Sequence, residues 1–211
     1  MRINKENADL YGVTLSHKGA ILDFIKENYP PGPLGELLFK ADASQCGLNG
    51  IIDILENNEQ PLTKYNLIIM GDAKAKYNKF ALTSISGVPF YCGNFLEPPW
   101  DRDDCKQHLA EANALVYAIR LCRDYCYYKK IKLSDFTLLY LSDSQPTLHS
   151  FNSNCLNYAT HMIKSIRTEI PINLKLEWIR GVDNLADKYT LAEAPVFHPR
   201  YDEMDKCLNK C

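Results

Sequence analysis

Four acidic residues stand where a folded chain would use them together: Asp42, Glu111, Asp143 and Asp187. Asp143 ends the run FTLLYLSDS at residues 136–144. Apolar, β-branched and aromatic residues without clean alternation read as a strand buried on both faces. Open α/β sheets present their chemistry just outside the carboxyl ends of such strands, and a carboxylate there is too costly to bury unpaired. Asp42 ends a similar run, LLFKAD at residues 37–42. Four convergent carboxylates repel one another strongly, and bound divalent cations relieve that repulsion. All-oxygen donors select hard ions, Mg²⁺ or Mn²⁺. A pair of such ions activates a water and stabilises the leaving oxygen of a phosphodiester.

The elements that must position these acids follow from pattern. Residues 37–42, a turn around Ala43 and Ser44 with Gly47 and Gly50, and Ile51, Ile52 and Ile54 predict a hairpin that starts the sheet. Residues 67–70, 79–84 and 89–92 supply further strands, while 56–64 and 72–78 read as polar loops. Asp104 stands where an N-cap belongs, with Gln107 three positions on. Leu115, Ile119, Cys122 and Cys126 then mark the buried stripe of the longest helix, and Glu111 falls beside it. A short helix or turn is expected around 145–151 and a second helix over about 155–168, with Met162, Ile163 and Ile166 inward. Residues 172–179 alternate as a strand wet on one face. A last helix is expected over 184–191, with Asp187 in its first turn, favoured by the positive end of the dipole. Asp183 competes with Asp187 for the fourth position.

With these placements the chain resembles the ribonuclease H family, in particular the ribonuclease H domain of retroelement polyproteins. The resemblance rests on Ala41-Asp42-Ala43-Ser44 with Gly47 and Gly50, on Ala110-Glu111-Ala112-Asn113-Ala114-Leu115, on Leu141-Ser142-Asp143-Ser144-Gln145, and on the stretch from Trp178 through Arg180, Gly181 and Asn184 to Ala186-Asp187. It covers residues 36–192. It implies an α/β, RNase H-like fold, a five-stranded mixed sheet flanked by helices. It also implies cleavage of the RNA strand of an RNA–DNA hybrid, leaving a 3′-hydroxyl and a 5′-phosphate. Asp42, Glu111, Asp143 and Asp187 would then be the catalytic ligands of two Mg²⁺ (or Mn²⁺) ions. Ser44, Gln145 and Asn184 would meet nucleic acid near the site, and the 2′-hydroxyl is the handle that tells RNA from DNA. A tethered or associated reverse transcriptase is the implied partner. The chain departs from the cellular pattern in one respect: Gly181 to Asn184 is too short for the flexible loop that carries a His there. The stretch between Ile54 and Asp104 is longer than the family needs. No clear basic helix grips the hybrid, so Lys129 and Lys130, with Lys132, are the nearest substitute, and Lys74, Lys76 and Lys79 are a second candidate group.

Composition sets bounds on these readings. A net charge of −2 over 211 residues rules out a generally basic nucleic-acid binder, so any such partner must be held by a local patch. No apolar run reaches membrane-spanning length, and the polar N-terminus is no secretory signal. An intracellular protein with reduced thiols is therefore expected from its eight cysteines. The Cys122/Cys126 and Cys207/Cys211 spacings are not those of a zinc knuckle. The expected organisation is an N-terminal extension with one helix and a proline-rich linker over 1–35, the RNase H-like domain over 36–195, and a tail over 196–211. Two other readings compete. One is an inactive scaffold or nucleic-acid-binding module on the same fold. The other is a DDE-type integrase or transposase with Glu177 as its final acid, which would require that Glu on a helix.

Overall fold

The computed structural model describes residues 65–96, 106–153 and 157–208. Asp42, Ser44, the expected hairpin at 37–54 and the extension over 1–35 lie outside the described residues.

Five strands form one sheet: β1 (Leu67–Lys74), β2 (Lys79–Thr83), β3 (Pro89–Asn94), β4 (Thr137–Ser142) and β5 (Asn173–Trp178). Their order is β3-β2-β1-β4-β5. β1, β2 and β3 form an antiparallel meander, whereas β4 runs parallel to β1 and β5 parallel to β4. Four α-helices among the described residues accompany the sheet: α1 (Lys106–Lys129), α2 (Gln145–Asn152), α3 (Tyr158–Glu169) and α4 (Tyr201–Cys207). This is the mixed α/β architecture that the resemblance implies.

β1 is the central strand, and its sequence LIIMGDAK is buried from Leu67 through Ala73. The strand therefore continues through Asp72, where sequence pattern predicts a polar loop over 72–78. Gly and Asp both disfavour strands intrinsically, but antiparallel pairing of Gly71 with Leu82 and of Asp72 with Ala81 outweighs that preference. The turn into β2 is a single 3-10 turn, Ala75–Tyr77, closed by Asn78 at φ 53°, a left-handed conformation that Asn tolerates.

One face of the sheet is built by Leu67, Ile69 and Ala73 of β1, Phe80 and Leu82 of β2, and Leu138 and Tyr140 of β4. Helix α1 packs there and is also covered by α3. Burial on two sides explains why most of its turns are inside the core, and Ala110, Ala112, Ala114 and Ala118 let the backbone approach closely. The rings of Phe80, Tyr91, Phe95 and Tyr117 pack together at one end.

The expected helix over 184–191 is absent. Two separate 3-10 turns, Gly181–Asp183 and Asp187–Tyr189, take its place. The side chains of Asn184 and Thr190 bond to backbone groups nearby, and such local bonds compete with a continuous helix. Residues 192–207 then return to the sheet. The Lys79 ammonium donates to the carbonyls of Ala192 and Ala194, Cys92 and Phe197 form a β-bridge, and Met204 and Cys207 are buried. Cys92, Cys122, Cys126 and Cys207 are free, buried thiols. No helix among the described residues is long and apolar enough to cross a membrane.

Candidate metal centre

The register of β1 and β4 determines the site. Met70 stands opposite Leu141 in their parallel ladder. Side chains repeat every second residue on one face of a strand, so two steps on, Asp72 and Asp143 arrive side by side at the carboxyl ends. Glu111 reaches the same place from the second turn of α1. One carboxylate oxygen from each of Asp72, Glu111 and Asp143 lies within 4.8 Å of the others. The structure thus unites Glu111 and Asp143, as expected, with an acid that sequence pattern assigned to a loop. Asp72 holds the strand position expected for Asp42.

Each acid is held by neighbours. The Asn184 amide donates to Asp143 Oδ1 at 3.0 Å and to the Gly71 carbonyl at 3.0 Å, and its oxygen accepts from the Ala186 N–H. Asn184 is buried and its polar atoms are engaged inside the protein, so it positions Asp143 where contact with nucleic acid was expected. The Trp178 indole N–H donates to the Asp143 carbonyl at 3.2 Å. A Cβ on Gly181 would lie 3.0 Å from Asp143 Oδ2, so a larger residue would crowd the carboxylate. The Thr190 hydroxyl donates to Asp72 Oδ2 at 2.6 Å. Gln107 holds the third acid: its amide donates to Glu111 Oε1 at 2.9 Å and to the Ala73 carbonyl at 2.6 Å, and its oxygen accepts from the Ala75 N–H. Its spacing after Asp104 had suggested only a capping role.

Burial sets the electrostatics. Asp72 is 1% exposed, and burial pushes its carboxyl up to about 6, against the opposing pull of Thr190 and Lys74. Burial, reinforced by the charges of Asp72 and Asp143, holds Glu111 well above the usual carboxylate range. Glu111 Oε2 is buried without a hydrogen-bond partner. An orphaned carboxylate oxygen beside two more carboxylates fits a hard divalent cation, which would take that oxygen as a ligand and offset the repulsion.

Asp187 stands at the rim, its side chain 47% exposed. It does not join the three-acid cluster directly. The Lys74 ammonium lies 2.7 Å from Asp187 Oδ1 and 3.9 Å from Asp72 Oδ2, linking the two. The competing Asp183 is buried in an ion pair with Arg180 at 2.7 Å. Glu177 lies on β5 and pairs with Lys175 at 2.9 Å, outside the cluster. Gln145 is exposed at the start of α2, two residues past Asp143.

The expected basic groups are distributed otherwise. Lys79 is buried against backbone carbonyls and Lys74 enters the acidic site, so Lys74, Lys76 and Lys79 form no surface handle. Lys129 pairs with Asp205 at 2.5 Å, and Lys130 is exposed beyond it in a left-handed conformation. Lys129 lies eighteen positions beyond Glu111 along α1, about 27 Å of helix.

No protein-family model and no curated protein matches the chain. Among solved structures, it is similar to LC11-RNase H1 in complex with an RNA/DNA hybrid, at 20% identity and a TM-score of 0.43, over 60% of this chain and 94% of that one. It is also similar to LC11-RNase H1 isolated from compost by a metagenomic approach, at 21% identity and a TM-score of 0.39, over 58% of this chain and 91% of that one.

Proposed function

We propose that this chain is a divalent-metal-dependent ribonuclease H that cleaves the RNA strand of RNA–DNA hybrids, acting inside the cell as part of a reverse-transcribing element. The observation that carries this reading is the cluster of Asp72, Glu111 and Asp143 at the ends of two parallel strands, with a buried, unpartnered Glu111 oxygen. Asp72, Glu111 and Asp143 would hold Mg²⁺ or Mn²⁺, which supplies an activated water and charge stabilisation at the scissile phosphate. Asp143 is aimed by Asn184 and has little freedom to turn away. Gln107 fixes one Glu111 oxygen and leaves the other buried without a hydrogen-bond partner. Thr190 orients Asp72. Gln145, exposed beside Asp143, is placed to meet the hybrid backbone or minor groove. Glu177 on a strand, already paired to Lys175, speaks against the integrase alternative.

The test is cleavage of end-labelled RNA paired with DNA, with Mg²⁺ or Mn²⁺ and with chelator. Hybrid-dependent cleavage leaving 3′-hydroxyl ends is expected, with loss of detectable product in Asp72→Asn and Asp143→Asn. An intact hybrid under both ions, or equal cleavage of RNA–RNA duplex, overturns the proposal. Cleavage retained in Asp72→Asn and lost in Asp42→Asn would return the first position to Asp42.

A further inference from the structure

Resting on that reading of the site, we propose that the Lys74 ammonium serves as a built-in second cation, so that the centre takes up one divalent ion rather than two. A centre that holds two ions keeps them roughly 4 Å apart between shared carboxylates. Here three acids share one position, while the fourth, Asp187, is already paired with an ammonium at 2.7 Å. The same ammonium lies 3.9 Å from Asp72 Oδ2. It therefore stands between Asp72 and Asp187, the place a second ion would need. Its origin is local: Lys74 is the last residue of β1, two steps past Asp72 and on the same side of the strand. The following turn holds the strand end, through the Ala75 N–H bond to Gln107. Asp187 comes to meet it on the 3-10 turn Asp187–Tyr189.

A divalent ion entering beside this ammonium meets direct repulsion and finds Asp187 already neutralised. The three-acid position keeps an orphaned oxygen for an ion of its own. An ammonium supplies charge and N–H donors to a phosphate oxygen, but it carries no activated water. The nucleophile would thus belong to the single ion held by Asp72, Glu111 and Asp143.

The measurement is the number of Mn²⁺ ions bound per full-length chain, by electron paramagnetic resonance and by calorimetry, without nucleic acid. One ion is expected for the native protein, two for Lys74→Met and for Lys74→Gln, and one again when Asp187→Asn is added to either. Circular dichroism identifies the variants that fold, and either Lys74 variant suffices. Two ions on the native protein, or one on the folded Lys74 variants, overturns this inference while leaving the nuclease reading intact. Binding of no ion by any form removes the metal centre itself, and the inference with it.

Discussion

Asp143 is held through both its side chain and its backbone. Its side chain takes the Asn184 amide, its carbonyl takes the Trp178 indole, and Gly181 leaves room beside it. Groups that orient a metal ligand commonly change ion affinity 10–100-fold when removed. Asn184→Ala is therefore expected to weaken Mn²⁺ binding by roughly 10-fold or more, read by calorimetry, with the far-ultraviolet spectrum unchanged. Tyr140 gives a second test at this scale. Its hydroxyl is fully buried and has no hydrogen-bond partner. An unsatisfied buried hydroxyl is destabilising, so Tyr140→Phe is expected to raise stability by about 1 kcal/mol in urea unfolding. A loss of stability would show that the hydroxyl has a partner after all.

At the scale of elements, the site depends on how closely β1 and β4 approach. Ile69 stands opposite Tyr140, and the Tyr140 ring leans along the strand over Gly71. A Cβ at Gly71 would fall 1.8 Å from the hydroxyl oxygen and 2.3 Å from the ring. The glycine is required by contact here and not by backbone conformation. Gly71→Ala is expected to cost about 3 kcal/mol, the upper end of ordinary overpacking. It should also lower ion affinity, since Gly71 immediately precedes Asp72. Adding Tyr140→Ala should recover part of the stability relative to the sum of the single changes, and simple additivity would refute the contact. The turns after β5 matter as much as the strands. They deliver Asn184, Asp187 and Thr190 to the site from a stretch without helical structure longer than one turn.

For the molecule as a whole, the acidic cluster makes ion-free stability depend on pH. Asp72 titrates at about 6 in the folded chain, against 3.8 for a free side chain, and Glu111 is shifted in the same direction. Between those values the native state binds more protons than the unfolded state, so stability falls as pH rises. The stabilisation is complete below about pH 4 and is lost as pH passes through about 6. A shift of this size corresponds to on the order of 3 kcal/mol for Asp72. Urea titrations in chelator should show this decline, and saturating Mn²⁺ at neutral pH should reverse it, by about 2.7 kcal/mol at a hundred times the dissociation constant. Asp72→Asn should flatten the profile. A stability that rises from pH 4 to 7 without ions would contradict the buried, ion-poised state of this carboxylate.

Much of this was legible in the chain. The buried run before Asp143, the stripe of α1 beside Glu111, and the strand ending at Trp178 are local patterns, and local periodicity reports burial directly. Pairing between distant segments is not local. LLFKADAS and LIIMGDAK are both apolar runs ending in Asp-Ala, and composition does not say which lies beside β4. The tertiary structure places the second there, because Leu67 to Met70 pair in parallel with Leu138 to Leu141. The same holds for the supporting groups. Gln107, Asn184, Thr190 and Lys74 are ordinary polar residues in sequence, and only long-range packing turns them toward the acids. Sequence alone thus determined the kind of sheet and two of its three clustered carboxylates. The third carboxylate, and the lysine beside it, were decided by the long-range pairing of β1 with β4.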